Sequence, residues 1–214
     1  VGFAEREFGL DVAIEPLGDA GSSGLLVQFA AEIALAVLNG DEHVSRRRFT
    51  LAHELGHWLM GDPEPVILEG SVRSDSEMER RADVFAVELL LPEVGVRRVV
   101  EQAIDDVSAV VDGLTVFGVS REAFVNRLRN LGLVDARRAA AVKEESVRTL
   151  FVRAGRMSDY AHWSQDDGSR RVPARIERRL IDAYAQGRIG IGCCSKALNS
   201  NPADLAEQLA GLGR

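Results

Sequence analysis

The segment that most constrains this 214-residue chain is His53-Glu54-Leu55-Gly56-His57, an H-E-x-x-H pattern inside a stretch that reads as one helix. Ser45 stands where an N-cap is expected. Phe49, Ala52, Leu55, Trp58 and Leu59 recur at three- and four-residue spacing, and Gly61 with Pro63 beyond it supplies a stop. The spacing therefore predicts a helix over 46–60. On such a helix residues i and i+4 share a face one turn apart, so two imidazoles can grip one metal ion. Glu54 lies near that face, where it can reach a water as general base rather than act as a ligand. Two ligands do not make a stable catalytic zinc site, because three from the protein is the usual count. A third is therefore sought downstream.

A second helix is expected over 76–91, with Met78, Ala82, Phe85, Ala86 and Leu89 as its buried stripe and Pro92 as its terminator. Glu79, in its first turn, can complete a His-His-Glu set. Asp83, four residues on and on the same face, can accept the free N–H of one ligand histidine and so fix the ring. Blander readings stand beside these. Ser76-x-x-Glu79 is also a capping box, and Asp83 is equally at home as a solvated helix residue.

Before the motif helix, residues 3–9 read as the end of a helix. Runs at 11–16, 25–29 and 32–38 read as strands, separated by the glycine-rich 18–24 and closed by Asn39-Gly40. The fold class expected is α+β, a small antiparallel or mixed sheet packed on helices that carry a zincin-like site. Further helices are expected at 93–103, 105–112 and 120–131. Residues 135–145 are short on large apolar groups and rich in Arg and Ala, and 155–172 are polar with Gly and charges. The expected organisation is a domain over 1–134, a linker at 135–145 and a mainly helical region over 146–214, with helices near 174–186, 194–198 and 202–211, suited to substrate recognition or regulation.

Composition removes several function classes. Hydrophobic residues at 46% and charged residues at 28% exclude wholesale disorder. A net charge of −7 argues against a protein that coats nucleic acid, so nucleic acid is not a favoured partner. Apolar runs such as 33–38 fall far short of the roughly 18 residues a membrane span needs, and no secretory signal is recognisable. The adjacent Cys193 and Cys194 read as free thiols in a reducing cytoplasm. A rival reading as a DNA-binding regulator draws 105–134 as a helix-turn-helix with Arg121, Arg127 and Arg129 on its second helix. An interaction protein that retains a metal site but has lost productive catalysis is another. Arg170, Arg171, Arg175, Arg178 and Arg179 form a basic cluster at a helix start, read as a solvated face or, more sharply, a surface for an acidic partner or nucleic acid. His43 is expected to be solvated. Tyr160 and His162 are candidates to stabilise an oxyanion, against a default of surface or packing residues. Oligomeric state is not legible.

The run Arg48-Phe49-Thr50-Leu51-Ala52-His53-Glu54-Leu55-Gly56-His57, followed by Glu79-x-x-Ala82-Asp83-x-Phe85-Ala86-x-Glu88-Leu89-Leu90-Leu91-Pro92, resembles the ImmA/IrrE family of zinc metallopeptidases. Val119 to Phe124, Arg127-Leu128 and Leu131-Gly132-Leu133 fit as well, so the resemblance covers about residues 1–134. It implies Zn2+ bound by His53, His57 and Glu79, with Glu54 as the base and Asp83 beside a ligand histidine. It also implies a setting. The substrate expected is a protein, a helix-turn-helix repressor whose cleavage releases stress-response or mobile-element genes.

Overall fold

The computed structural model describes residues 1–18, 23–30, 33–62, 77–165 and 170–210. In chain order these form α1 (Gly2–Phe8), β1 (Leu10–Glu15), β2 (Gly24–Ala30), β3 (Ile33–Asn39), α2 (Val44–Met60), α3 (Glu77–Leu90), α4 (Glu93–Gln102) and α5 (Asp106–Phe117). There follow α6 (Arg121–Asn130), α7 (Ala136–Glu144), α8 (Val147–Arg153), α9 (Met157–Ser164), α10 (Ala174–Ala185), α11 (Ile191–Ala197) and α12 (Pro202–Leu209). The chain divides into two compact units, residues 1–41 with 169–214, and residues 42–168. Among the described residues no helix is long and apolar enough to cross a membrane.

The first unit holds a mixed three-stranded sheet of order β1-β3-β2, with β3 parallel to β1 and antiparallel to β2. Alternation explains it. Leu10, Val12, Leu26, Ala34, Ala36 and Leu38 fall on even positions and are all almost fully buried, which gives the sheet one apolar face. Asn39 ends β3 as its turn signal implies, its side-chain oxygen accepting from the N–H groups of Leu17 and Asp41 at 3.1 and 3.0 Å.

The basic cluster near α10 has a use inside this unit. Arg171 exchanges two backbone hydrogen bonds with Ile14 on the outer edge of β1, at 3.0 and 2.9 Å. Its guanidinium pairs with Glu5, while Arg170 pairs with Glu15 and Arg175 with Asp11. Arg170, Arg175, Arg178 and Arg179 remain exposed, as a solvated face requires, and Arg171 is half-buried. A small core of Cys194, Leu205 and Leu209 gathers α10, α11 and α12, and both cysteines are free. Burial pushes the Cys194 thiol pKa up, which suits a packed residue rather than a reactive one.

The second unit is helical and its core centres on Leu114, Phe124, Leu150 and Phe151, none of them exposed. Residues 135–145, read in sequence as a linker, carry α7, whose Ala139 is buried in this core. Two helices that the sequence reading did not place, α8 and α9, supply Leu150 and Phe151 and the packed rings of Tyr160 and Trp163. Arg127, drawn above on a basic face, is instead buried and bonded to Glu88 and to the Leu91 carbonyl. Arg121 pairs with Glu122 and with the carbonyl of Glu145.

Candidate metal centre

The site is built on α2. Its N-cap is His43, two residues before the expected Ser45. The Nδ1 of His43 accepts from the Ser45 N–H at 3.2 Å, and its ring lies 4.5 Å from that of Trp163, so His43 is half-buried rather than solvated. The helix ends at Gly61, whose left-handed φ of 65° turns the chain back, and the Asp62 N–H closes onto the His57 carbonyl at 3.1 Å. Within these limits His53 and His57 fall one turn apart and are 3% and 2% exposed. Glu54, between them, is also buried.

The third residue arrives on α3, which lies close against α2 at Gly56. A Cβ there would stand 3.1 Å from the Phe85 ring and 3.4 Å from the Ala82 backbone, so this glycine admits the neighbouring helix. Glu79, in the first turn of α3, places its two carboxylate oxygens 3.3 Å from His53 Nε2 and 3.5 Å from His57 Nε2. The two Nε2 atoms are 3.0 Å apart. Among the described residues His53, His57 and Glu79 form the cluster with donor atoms near enough to hold one ion. Ligand atoms about 2.1 Å from a common ion at tetrahedral angles stand roughly 3.4 Å apart, so these edges are of the size a tetrahedral site requires. The capping-box partner Ser76, and the loop with Pro63 and Pro65, lie outside the described residues.

The far side of each ring decides what Nε2 can do. His53 Nδ1 is 2.9 Å from Asp83 Oδ1, and His57 Nδ1 is 3.1 Å from Asp62 Oδ2. A carboxylate only accepts, so both rings donate from Nδ1. In their neutral form both therefore turn Nε2 lone pairs inward. Burial, followed by the neighbouring His57 ring, pushes the His53 pKa below its ordinary 6.5 against the opposing pull of Asp83 and Glu79, and this favours the neutral imidazole that a metal ligand must be. Two ring nitrogens on buried histidines thus converge with the carboxylate of a partly buried glutamate. The donor set fits a divalent metal.

Asp83 meets His53 Nδ1 with a side chain that is 53% exposed. Asp62 is the residue that sequence reasoning missed. The one signal available was its position directly after the Gly61 stop, where a left-handed turn folds it back under His57. It is 6% exposed, and its other oxygen accepts from Arg81 Nη2 at 2.9 Å. Of the oxyanion candidates, Tyr160 packs its ring against Phe151 and Trp163, and His162 is exposed. No hydrogen bond or ion pair among the described residues joins either to the histidines.

The cluster fits a zincin-like site on an α+β fold. Residues 5–129, more than half of the chain, match the family model of the IrrE N-terminal-like domain, a peptidase domain of family M78. No curated protein and no solved structure matches the chain. The match spans the H-E-x-x-H helix, Glu79 and the helices that follow, and on that ground the chain belongs to the IrrE N-terminal-like peptidase family.

Proposed function

We propose that this chain is a zinc-dependent endopeptidase that cleaves a helix-turn-helix transcriptional repressor in the cytoplasm, switching on stress-response or mobile-element genes. The observation that carries the metallopeptidase part is the convergence of two inward Nε2 atoms and one carboxylate at edges of 3.0 to 3.5 Å. The repressor as substrate rests on the resemblance of the two motifs to the ImmA/IrrE family. The cytoplasmic setting rests on two cysteines that are both free.

In this reading His53, His57 and Glu79 hold the ion. Zinc, when bound, supplies Lewis acidity to a peptide carbonyl and to a water. Glu54, buried on the same helix, accepts the proton of the attacking water and returns it to the leaving amine. Asp83 and Asp62 keep the two rings in the tautomer that points Nε2 at the metal. Burial of the histidines and of Glu54 keeps bulk water from diluting these charges.

The test is a pair of variants, each incubated with a co-expressed helix-turn-helix repressor. Glu54→Gln is expected to keep one zinc per chain and to slow cleavage by about 10²–10⁴-fold. His57→Ala is expected to lose both zinc and cleavage. Cleavage by Glu54→Gln at the normal rate removes Glu54 as the base. A repressor that wild type and Glu54→Gln both bind tightly and leave intact moves the reading to a metal-binding interaction protein. Binding of duplex DNA with a steep salt dependence moves it to a DNA-binding regulator.

A further inference from the structure

We propose that Asp62, clamped by Arg81, is the principal positioning residue of the metal centre, and that it governs metal affinity more strongly than Asp83 does. The proposal rests on the reading of His53, His57 and Glu79 as a metal site.

The two histidines are braced differently. A histidine ring on a helix turns broadly about its outer torsion, so a fixed contact at Nδ1 is what aims Nε2. Behind His53 stands Asp83, whose side chain is 53% exposed. Water competes there for the carboxylate, and the brace is correspondingly soft. Behind His57 stands Asp62, at 6% exposure. Both of its oxygens are engaged, one by His57 Nδ1 at 3.1 Å and the other by Arg81 Nη2 at 2.9 Å. Its own N–H is tied to the His57 carbonyl at 3.1 Å, so backbone and side chain of Asp62 both grip the residue it orients. The Arg81 side chain is 51% exposed but the Asp62 carboxylate is only 6% exposed, so a swing of Asp62 costs two contacts of a group that water reaches poorly.

Arg81 adds a second effect. It belongs to α3, two residues after Glu79, whereas Asp62 follows the end of α2. The Arg81–Asp62 pair therefore ties the helix that carries the carboxylate ligand to the end of the helix that carries the two imidazoles. It sets the separation of the two halves of the site as well as the aim of one ring.

The experiment measures zinc affinity of the full chain by competition with a chromophoric chelator, and records the visible spectrum of the cobalt(II)-loaded protein. The variants are Asp62→Asn, Asp62→Ala, Arg81→Met, Arg81→Lys and Asp83→Asn. Asp62→Ala is expected to weaken zinc by about 10–100-fold. Asp62→Asn is expected to fall between it and wild type, since the amide oxygen still accepts from Nδ1 but brings no charge. Arg81→Met is expected to cost about tenfold, partly restored in Arg81→Lys, and Asp83→Asn about threefold or less. The cobalt bands are expected to shift in the Asp62 variants, a signature that loss of a merely structural contact would not give. Thermal midpoints of the metal-free variants separate lost fold from lost metal, and the nearly isosteric Asp62→Asn keeps the comparison decisive should Asp62→Ala not fold. The proposal is overturned if Asp83→Asn costs more affinity than Asp62→Asn. It is equally overturned if Asp62→Asn and Arg81→Met both bind within about twofold of wild type with an unchanged cobalt spectrum. A wild-type chain that takes up neither zinc nor cobalt overturns the metal reading itself, and that result is visible before any variant is made.

Discussion

Arg127 forks onto Glu88, its two terminal nitrogens each 2.7 Å from a carboxylate oxygen, while its Nε donates to the Leu91 carbonyl at 3.0 Å. The arginine is 8% exposed and the glutamate 56%, so the buried partner is the one that cannot be resolvated if the pair is cut. The contact pins α6 to the end of α3, the helix that brings Glu79 to the histidines. Arg127→Ala removes three charge-assisted hydrogen bonds and leaves the Leu91 carbonyl unpaired while the exposed Glu88 returns to water, an expected loss of about 2 kcal/mol in chemical unfolding. Arg127→Lys is expected to recover less than half of that, because a point charge cannot reproduce the fork. A loss under about 0.5 kcal/mol in Arg127→Ala would show the pair to be ornamental.

Gly56 controls how closely α3 approaches the histidines. A methyl group there meets the half-buried ring of Phe85, which can turn aside, and gains about 1 kcal/mol of helix propensity, so Gly56→Ala is expected near wild type in stability. Gly56→Val reaches the Ala82 backbone, which cannot move without carrying α3 away, at an expected cost of about 2 kcal/mol. Because Glu79 rides on α3, zinc affinity is expected to fall about tenfold in the valine variant. Wild-type affinity in that variant would mean that helix spacing does not set the site.

The Glu5 carboxylate is 9% exposed and accepts from Arg171 and from the N–H groups of Val12 and Ala174 at 3.3 and 3.2 Å. Burial pushes its pKa up, yet Arg171 and the two N–H donors outweigh burial and hold it below the ordinary 4.5. A group whose folded pKa lies below its unfolded one contributes stability that is present above the unfolded value and is lost as pH falls through the folded one. Glu5→Gln is therefore expected to lower the urea midpoint at pH 7, with the gap to wild type narrowing once pH drops below about 4.5. A gap that stays constant from pH 7 to pH 3 would assign the loss to packing rather than charge.

Metal should stabilise the unit that holds the histidines. At zinc a hundredfold above its dissociation constant the linkage is worth about 2.7 kcal/mol, which corresponds to a rise of roughly 5–10 °C in the thermal midpoint. A chelator is expected to reverse the rise, and His57→Ala to abolish it. Equal midpoints with and without zinc in the wild type would argue that no ion binds the folded chain.

Much of the site was legible because its parts are local. The histidine spacing needs only a helix, and the carboxylate spacing of Glu79 and Asp83 needs only a second one. The H-E-x-x-H helix and the presence of a small sheet also follow from short periods, whereas the parallel pairing of β1 with β3 does not. The helices α8 and α9 did not, because each has only seven or eight residues, and their burial rests on Leu150, Phe151, Tyr160 and Trp163, too few to establish a period. The pairing of the basic residues near α10 was not legible because Glu5, Asp11 and Glu15, which absorb three of them, lie more than 150 residues away in the chain. His43 was misjudged for a similar reason, since Trp163, which covers it, belongs to a distant helix.

The amino-acid order alone settled that two imidazoles and a glutamate share a helix and that a carboxylate-bearing helix follows, since bonds between residues a few positions apart fix those relations. Packing settled the remainder. Asp62 comes to lie under His57 through a left-handed turn at Gly61, and Arg81 reaches Asp62 only because α3 lies against α2. Contacts of that kind depend on how one element docks on another, and the periodicity of a single segment does not record the face its neighbour will choose.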